Sequence, residues 1–242
     1  MKVVVLSPHL DDAVLSVGAT INSLRRRGAD VVVLTVFAGD PQHNSPASYW
    51  DAKRHPADKA DAEKMRREED AAAAAVLRVD TVHLPFDDFA YLTRRDPSEI
   101  LEAMQPELED ADMVLTPGWP LVHTDHRYLS MLVLRSAYKG TIHFYEELPY
   151  GAQPVQVVKR ALRGRRAPSV THELGGELTW RAALTTAEDF AAKRAAVDCY
   201  TGELAALGRH AQISLLRDRL WRREMIGHSN GFVDPFLFRT KR

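Results

Sequence analysis

"VVVLSPHLDD" (residues 3–12) sets an apolar, mostly β-branched run directly before one histidine and two adjacent carboxylates. Such a run is what a strand buried on both faces of a parallel sheet requires. The following "AVLSVGATINSLRRRG" (13–28) places Ala13, Val14, Val17, Ile21 and Leu24 at helical spacing and closes on Gly28, a C-terminal cap. "ADVVVLTVFAGD" (29–40) then supplies a second buried strand. A strand, a helix and a strand in this order form a right-handed crossover and start a parallel sheet.

The alternation continues outward from this opening. Helical patterns at 63–79, 97–111 (with a kink or break at Pro106) and 128–138 alternate with strand patterns at 81–86, 112–117 and from Thr141. The expected fold is α/β, a Rossmann-like, mostly parallel sheet flanked by helices, regular to about residue 148 and followed by a C-terminal elaboration. Residues 151–180 hold Gly151, Pro154, Pro168, Gly175 and Gly176, but the segment beyond them is too short and too helical for a core of its own, so residues 1–242 read as a single domain. Pro41–Lys59 is polar and without periodicity, as in a long functional loop. The basic run "KRALRGRR" (159–166) reads as a solvated face, with an anionic ligand as the alternative.

Composition narrows the function classes. Apolar residues make up 45% and charged residues 27%, an ordinary globular balance. The formal charge of −1 gives no field that would recruit nucleic acid or an anionic membrane. Cys199 is the only cysteine, which excludes an internal disulfide and a multi-cysteine metal cluster and favours a cytoplasmic setting. No stretch of about 18 apolar residues suggests a membrane span. The first strand-to-helix turn lacks both G-x-G-x-x-G and G-x-x-x-x-G-K-[ST], so it has no phosphate cradle.

That turn offers metal ligands instead. Ligands in open α/β sheets bind beyond the carboxyl ends of the strands, where "SPHLDD" sits. A second cluster, "HTDH" (123–126), comes after the strand pattern "MVLTP", so both should meet at one sheet edge. Imidazole nitrogen and carboxylate oxygen suit a hard-to-borderline divalent ion. Taken separately, each cluster also reads as a helix cap with incidental histidines. Among the other histidines, His228 in "GHSNGF" is a candidate pocket residue, because glycine-rich turns often line sites.

"PHLDDAVLSVG" together with "HTDH" resembles the PIG-L/LmbE-type zinc-dependent N-acetylglucosaminyl de-N-acetylases. Weaker matches are Arg66, Glu69, Ala73, Ala74 and Leu77 on one helix, Leu84 to Asp88, the stretch Lys193, Ala196 and Tyr200, and "YEELPY" (145–150). The resemblance implies a Zn2+ ion, or another divalent metal, on His9, Asp12 and His126, an assignment that leaves an open position for water. It implies Asp11 as general base, His123 as the group that stabilises the oxyanion and protonates the leaving amine, and Arg66 and Asp88 as contacts to the sugar. Asp125 then orients a histidine from behind. Leu121 stands where some members carry a tyrosine, so a tyrosine contribution must come from elsewhere or be absent. The implied activity is hydrolysis of an N-acetylated amino sugar, a small-molecule acetamido-sugar substrate, in the making of a natural product. The alternatives are a metal-dependent amidase on another sugar or thiol conjugate and a non-catalytic, metal-stabilised sugar-binding module.

Overall fold

Val3 to Ser7 are all buried in β1 (Lys2–Ser7) because both faces of the strand are covered by helices. Val3 and Val5 pack on one face with Val14, Val17, Ile21 and Leu24 of α1 (Asp12–Arg26). Val4 and Leu6 pack on the other with Ile100 and Met104 of α3 (Pro97–Leu108) and Leu129 and Val133 of α4 (Thr124–Arg135). Fully burying one such aliphatic side chain contributes about 1.5–3 kcal/mol. This is why the apolar run "VVVL" commits the chain to a three-layer arrangement.

The structure is a computed structural model that describes residues 1–39, 59–89, 95–152, 156, 178–202, 204, 223–229 and 234–238. The remaining described strands and α-helices are β2 (Asp30–Thr35), α2 (Lys59–Leu77), β3 (Asp80–His83), β4 (Met113–Trp119), β5 (Thr141–Glu146), β6 (Thr179–Ala182), α5 (Ala187–Val197) and β7 (Met225–His228), with a 3-10 turn at Tyr150–Ala152. The seven strands form one sheet in the order β3-β2-β1-β4-β5-β7-β6. β1 through β5 pair in parallel, with Val3 opposite Val31 and Met113, while β7 runs antiparallel to both β5 and β6. The chain builds outward from β1 to β3 and then returns to lay β4 on the other side of β1. That reversal opens a crevice above the carboxyl ends of β1 and β4, the place where such sheets bind ligands.

Three expectations need adjusting. α3 runs on through Pro106 and ends two residues later at Leu108; the proline withholds the N–H that would bond the Glu102 carbonyl but does not end the helix. Strands β6 and β7 were not expected; each spans four residues, and Gly227 and His228 in "MIGH" read as a turn. Gly227 is there for closeness, since a Cβ on it would stand 3.0 Å from the Trp180 indole. His228, expected in a turn, closes this strand as a buried residue, with its ring centroid 5.3 Å from that of Phe238. The loop expected from Pro41 to Lys59, apart from Lys59 itself, and the basic run 159–166 lie outside the described residues. No described helix is long and apolar enough to cross a membrane.

Candidate metal centre

Ser7, the last residue of β1, organises the turn between this strand and α1. Its hydroxyl donates to the His9 carbonyl at 2.6 Å and accepts the Ala13 N–H at 3.0 Å, so a serine from the strand caps α1. Asp11 occupies the N-cap position but makes no side-chain cap hydrogen bond, which removes the cap reading for that carboxylate. Its backbone sits at φ 120°, a left-handed conformation. For a residue with a Cβ this costs of order 1–3 kcal/mol and persists only where the surroundings over-determine it.

Beyond this turn, three donor atoms converge. Asp12 Oδ2 lies 3.1 Å from His9 Nδ1 and 3.1 Å from His126 Nε2, and those two nitrogens are 3.3 Å apart. Ligand atoms roughly 2.0–2.1 Å from a tetrahedral zinc stand roughly 3.3 Å from one another. The spacing and the nitrogen and oxygen donors therefore suit one divalent ion. His9 comes from the turn after β1 and His126 from the first turn of α4, after β4, so the crevice between adjacent strands brings them together. His9, His123 and His126 also offer nitrogens within 4.8 Å of one another, as do the ligand atoms of His9, Asp88, His123 and Asp125.

The electrostatics favour positive charge here. Burial alone would push His9 down, but hydrogen bonds to Asp12 and Asp125 outweigh it and raise the imidazole to about 9. Burial likewise opposes the charge on His126, yet Asp12 and Glu147 hold it well above the usual imidazole range. Burial would raise Asp12, and the two histidines hold it well below the ordinary carboxylate range. In the absence of an ion, protons on two rings balance the carboxylates, and a divalent cation would take over that role.

His123 behaves differently. It caps α4, and its Nδ1 accepts the Asp125 N–H at 3.3 Å, which leaves the proton of the neutral ring on Nε2. Burial lowers its pKa, and the charged His9 and His126 push the same way. Its ring centroid is 4.9 Å from that of His9 and 5.0 Å from that of His126, and its side chain is 31% exposed, the most open of the three.

Asp125 is fully buried, with Oδ2 3.0 Å from His9 Nε2, accepting the Phe89 N–H at 3.1 Å as well. Asp88 Oδ2 lies 3.4 Å from the same His9 nitrogen. Arg66 is half-buried on α2. Three neighbours of the centre were not named as site residues from the sequence, although Glu147 and Tyr150 lie in the family-like "YEELPY". Glu147 Oε1 lies 2.5 Å from His126 Nδ1, while its Oε2 accepts the Leu121 N–H at 2.6 Å. Arg95 donates to Asp125 Oδ1 at 2.5 Å and to the Asp87 carbonyl at 2.6 Å, with its guanidinium 4.2 Å from the Phe37 ring centroid. Tyr150 sets its ring edge-on to His126, centroids 5.7 Å apart.

Comparison with solved structures finds the same fold in a set of deacetylases. A deacetylase triple mutant from the teicoplanin biosynthetic pathway superposes with a TM-score of 0.75 at 24% identity, covering 96% of this chain and 100% of the other. The zinc-inhibited form of the teicoplanin deacetylase Orf2 gives 0.72 at 22%, with 96% and 100% coverage. The A40926 pseudoaglycone deacetylase Dbv21 gives 0.71 at 25%, with 93% and 96% coverage. No curated protein matches the chain. The family model described as PIG-L, GlcNAc-PI de-N-acetylase, matches residues 4–137, more than half of the chain and both histidine clusters, and the chain belongs to that family.

Proposed function

We propose that this chain is a metal-dependent N-deacetylase that hydrolyses the acetamide of an N-acetylated amino sugar, an N-acetylglucosaminyl-type conjugate, in natural-product biosynthesis. The observation that carries this reading is the triangle of His9 Nδ1, Asp12 Oδ2 and His126 Nε2 in a chain of this family. These residues hold the ion, and zinc suits two imidazoles and a carboxylate. Orf2, crystallised in a zinc-inhibited form, supports an enzyme of this fold that binds zinc. The deacetylases named for teicoplanin and A40926 support a natural product as the acetylated substrate. The lone Cys199 fits a reducing, cytoplasmic setting.

When bound, the ion supplies Lewis acidity that polarises the acetamide carbonyl and makes water easier to deprotonate at neutral pH. Asp11 accepts the proton from the attacking water. The His123 ring, with its proton on Nε2, donates a hydrogen bond to the developing oxyanion, and the proton taken up by Asp11 passes to the leaving nitrogen as the C–N bond breaks, which releases acetate and a free amine. Asp125 keeps His9 in the tautomer that presents Nδ1 to the ion. Asp88 and Arg66 hydrogen-bond the sugar hydroxyls. Asp11 and His123 weigh against a purely binding module, since holding the metal requires neither.

The test is acetate and amine release from a panel of N-acetylglucosaminides by zinc-loaded, chelator-treated and zinc-restored protein. Release that chelator abolishes and zinc restores is expected. Turnover of an unrelated amide alone would replace the substrate class and keep the metal chemistry.

A further inference from the structure

Helix α1 is broken in its middle. Val17 sits at φ −133° and ψ 23°, outside the helical region, although neither it nor its neighbours is a proline. A break of this kind leaves unsatisfied N–H groups after it and unsatisfied carbonyls before it, and some inserted group must meet them. Glu224 meets the N–H side: its carboxylate accepts the Ala19 N–H at 3.0 Å, the Thr20 N–H at 2.6 Å and the Thr20 hydroxyl at 2.6 Å. Lys193 of α5 meets the carbonyl side, donating to the Ser16 carbonyl at 3.3 Å and to Glu224 Oε1 at 2.6 Å. Both side chains are fully buried. Gly18 makes room for the wedge, since a Cβ there would stand 2.9 Å from Lys193 Cγ.

A buried ion pair is a poor source of net stability, because desolvating both charges offsets their attraction; it is better suited to fixing a geometry. The geometry at stake is that of the metal centre. The segment before the break, Asp12–Ser16, carries Asp12 at its head. At its foot, Ser16 Oγ accepts the Leu148 N–H at 3.0 Å, and Leu148 adjoins the Glu147 that grips His126. Ser16 thus joins the wedge to both sides of the donor triangle.

We propose that Lys193 and Glu224 are positioning residues: wedged into the break in α1, the pair aims the first turn of the helix so that Asp12 meets His9 and His126. The inference rests on the metal-centre reading above. The decisive protein is the double variant Lys193→Met/Glu224→Gln, which removes both charges and keeps their volume. Zinc affinity is measured by competition with a chromogenic chelator, folding by thermal melting in chelator, and kcat and KM on an acetamido sugar. The expected result is a folded double variant with zinc affinity roughly tenfold or more weaker and kcat lowered more than KM is raised. A folded double variant with unchanged zinc affinity and kcat overturns the proposal. If the double variant and both single variants fail to fold, the pair serves stability alone, and the proposal falls equally. Wild-type protein that binds no zinc would instead sink the metal reading on which it rests.

Discussion

Glu147 Oε1 stands 2.5 Å from His126 Nδ1, each side chain 2% exposed, so the ring that offers Nε2 to the donor triangle is gripped from behind by a buried carboxylate. Glu147→Gln keeps an acceptor there but loses the charge. Removing such a partner typically costs about 10- to 100-fold in metal affinity. A chelator-competition titration of Glu147→Gln is expected to fall in that range, with Glu147→Ala weaker still because it also strands the Leu121 N–H. Unchanged affinity in both would leave Glu147 with a packing role only.

His126→Ala takes away one vertex of the triangle and leaves two donors, too few to hold zinc against solvent. Metal analysis after gel filtration is expected to show strongly reduced zinc. Full occupancy in that variant would redirect the assignment to the alternative His9, Asp88, His123 and Asp125 group.

Asp11→Asn is the complementary case. The amide matches the carboxylate in size but cannot take a proton from water, so the variant is expected to keep its zinc and lose about 100- to 10,000-fold in kcat. Near-normal turnover by a zinc-replete Asp11→Asn protein would remove Asp11 from the chemistry.

Some of this arrangement was legible in the sequence and some was not, for identifiable reasons. β1, α1 and β2 announce themselves because each buries a continuous apolar run or stripe, and hydrophobic periodicity is the strongest local signal. The meeting of His9 with His126 was readable because both come directly after strands, and parallel strands place their carboxyl ends on one edge. The break at Val17 left no trace, since valine fits the helical stripe and the cause, Lys193 with Glu224, lies 176 and 207 residues away. Glu147 was hidden among equivalents: in "YEELPY" neighbouring carboxylates look alike, and only the bend after β5 decides which one reaches His126. Arg95 likewise sits beside Arg94, and nothing local separates them.

Arg95 is expected to matter more than a surface arginine. Burial would raise the Asp125 pKa, but the bonds from His9 and Arg95 hold it well below the ordinary carboxylate range. Arg95→Ala leaves Asp125 its contacts with His9 and the Phe89 N–H but takes the cation from its other oxygen, and removing one partner of a buried pair costs about 3–5 kcal/mol. Lysine cannot reach Asp125 and the Asp87 carbonyl together as the planar guanidinium does. Denaturant titrations are therefore expected to show a large loss for Arg95→Ala and little rescue by Arg95→Lys; full rescue would mean that charge alone is required.

His143 on β5 supplies the pH prediction, at a distance from the chemistry. It is 1% exposed, neither ring nitrogen has a hydrogen-bond partner among the described residues, and its ring centroid lies 6.2 Å from that of Phe238. Burial pushes its pKa from 6.5 down to about 4, Asp234 opposing slightly and His228 adding to the fall. The unfolded chain therefore takes up a proton as pH drops through the ordinary imidazole range, while the folded chain does so only near pH 4. Between those values the unfolded state binds more protons, so stability rises with pH across the window and is lost as pH falls. The loss saturates below the folded value at about 3 kcal/mol. His143→Leu keeps the site filled and removes this term. Denaturant unfolding at pH 7 and pH 4, in chelator so that metal release does not contribute, is expected to show wild type losing about 3 kcal/mol more than the variant. Equal losses would mean that the buried ring finds a proton acceptor when it titrates.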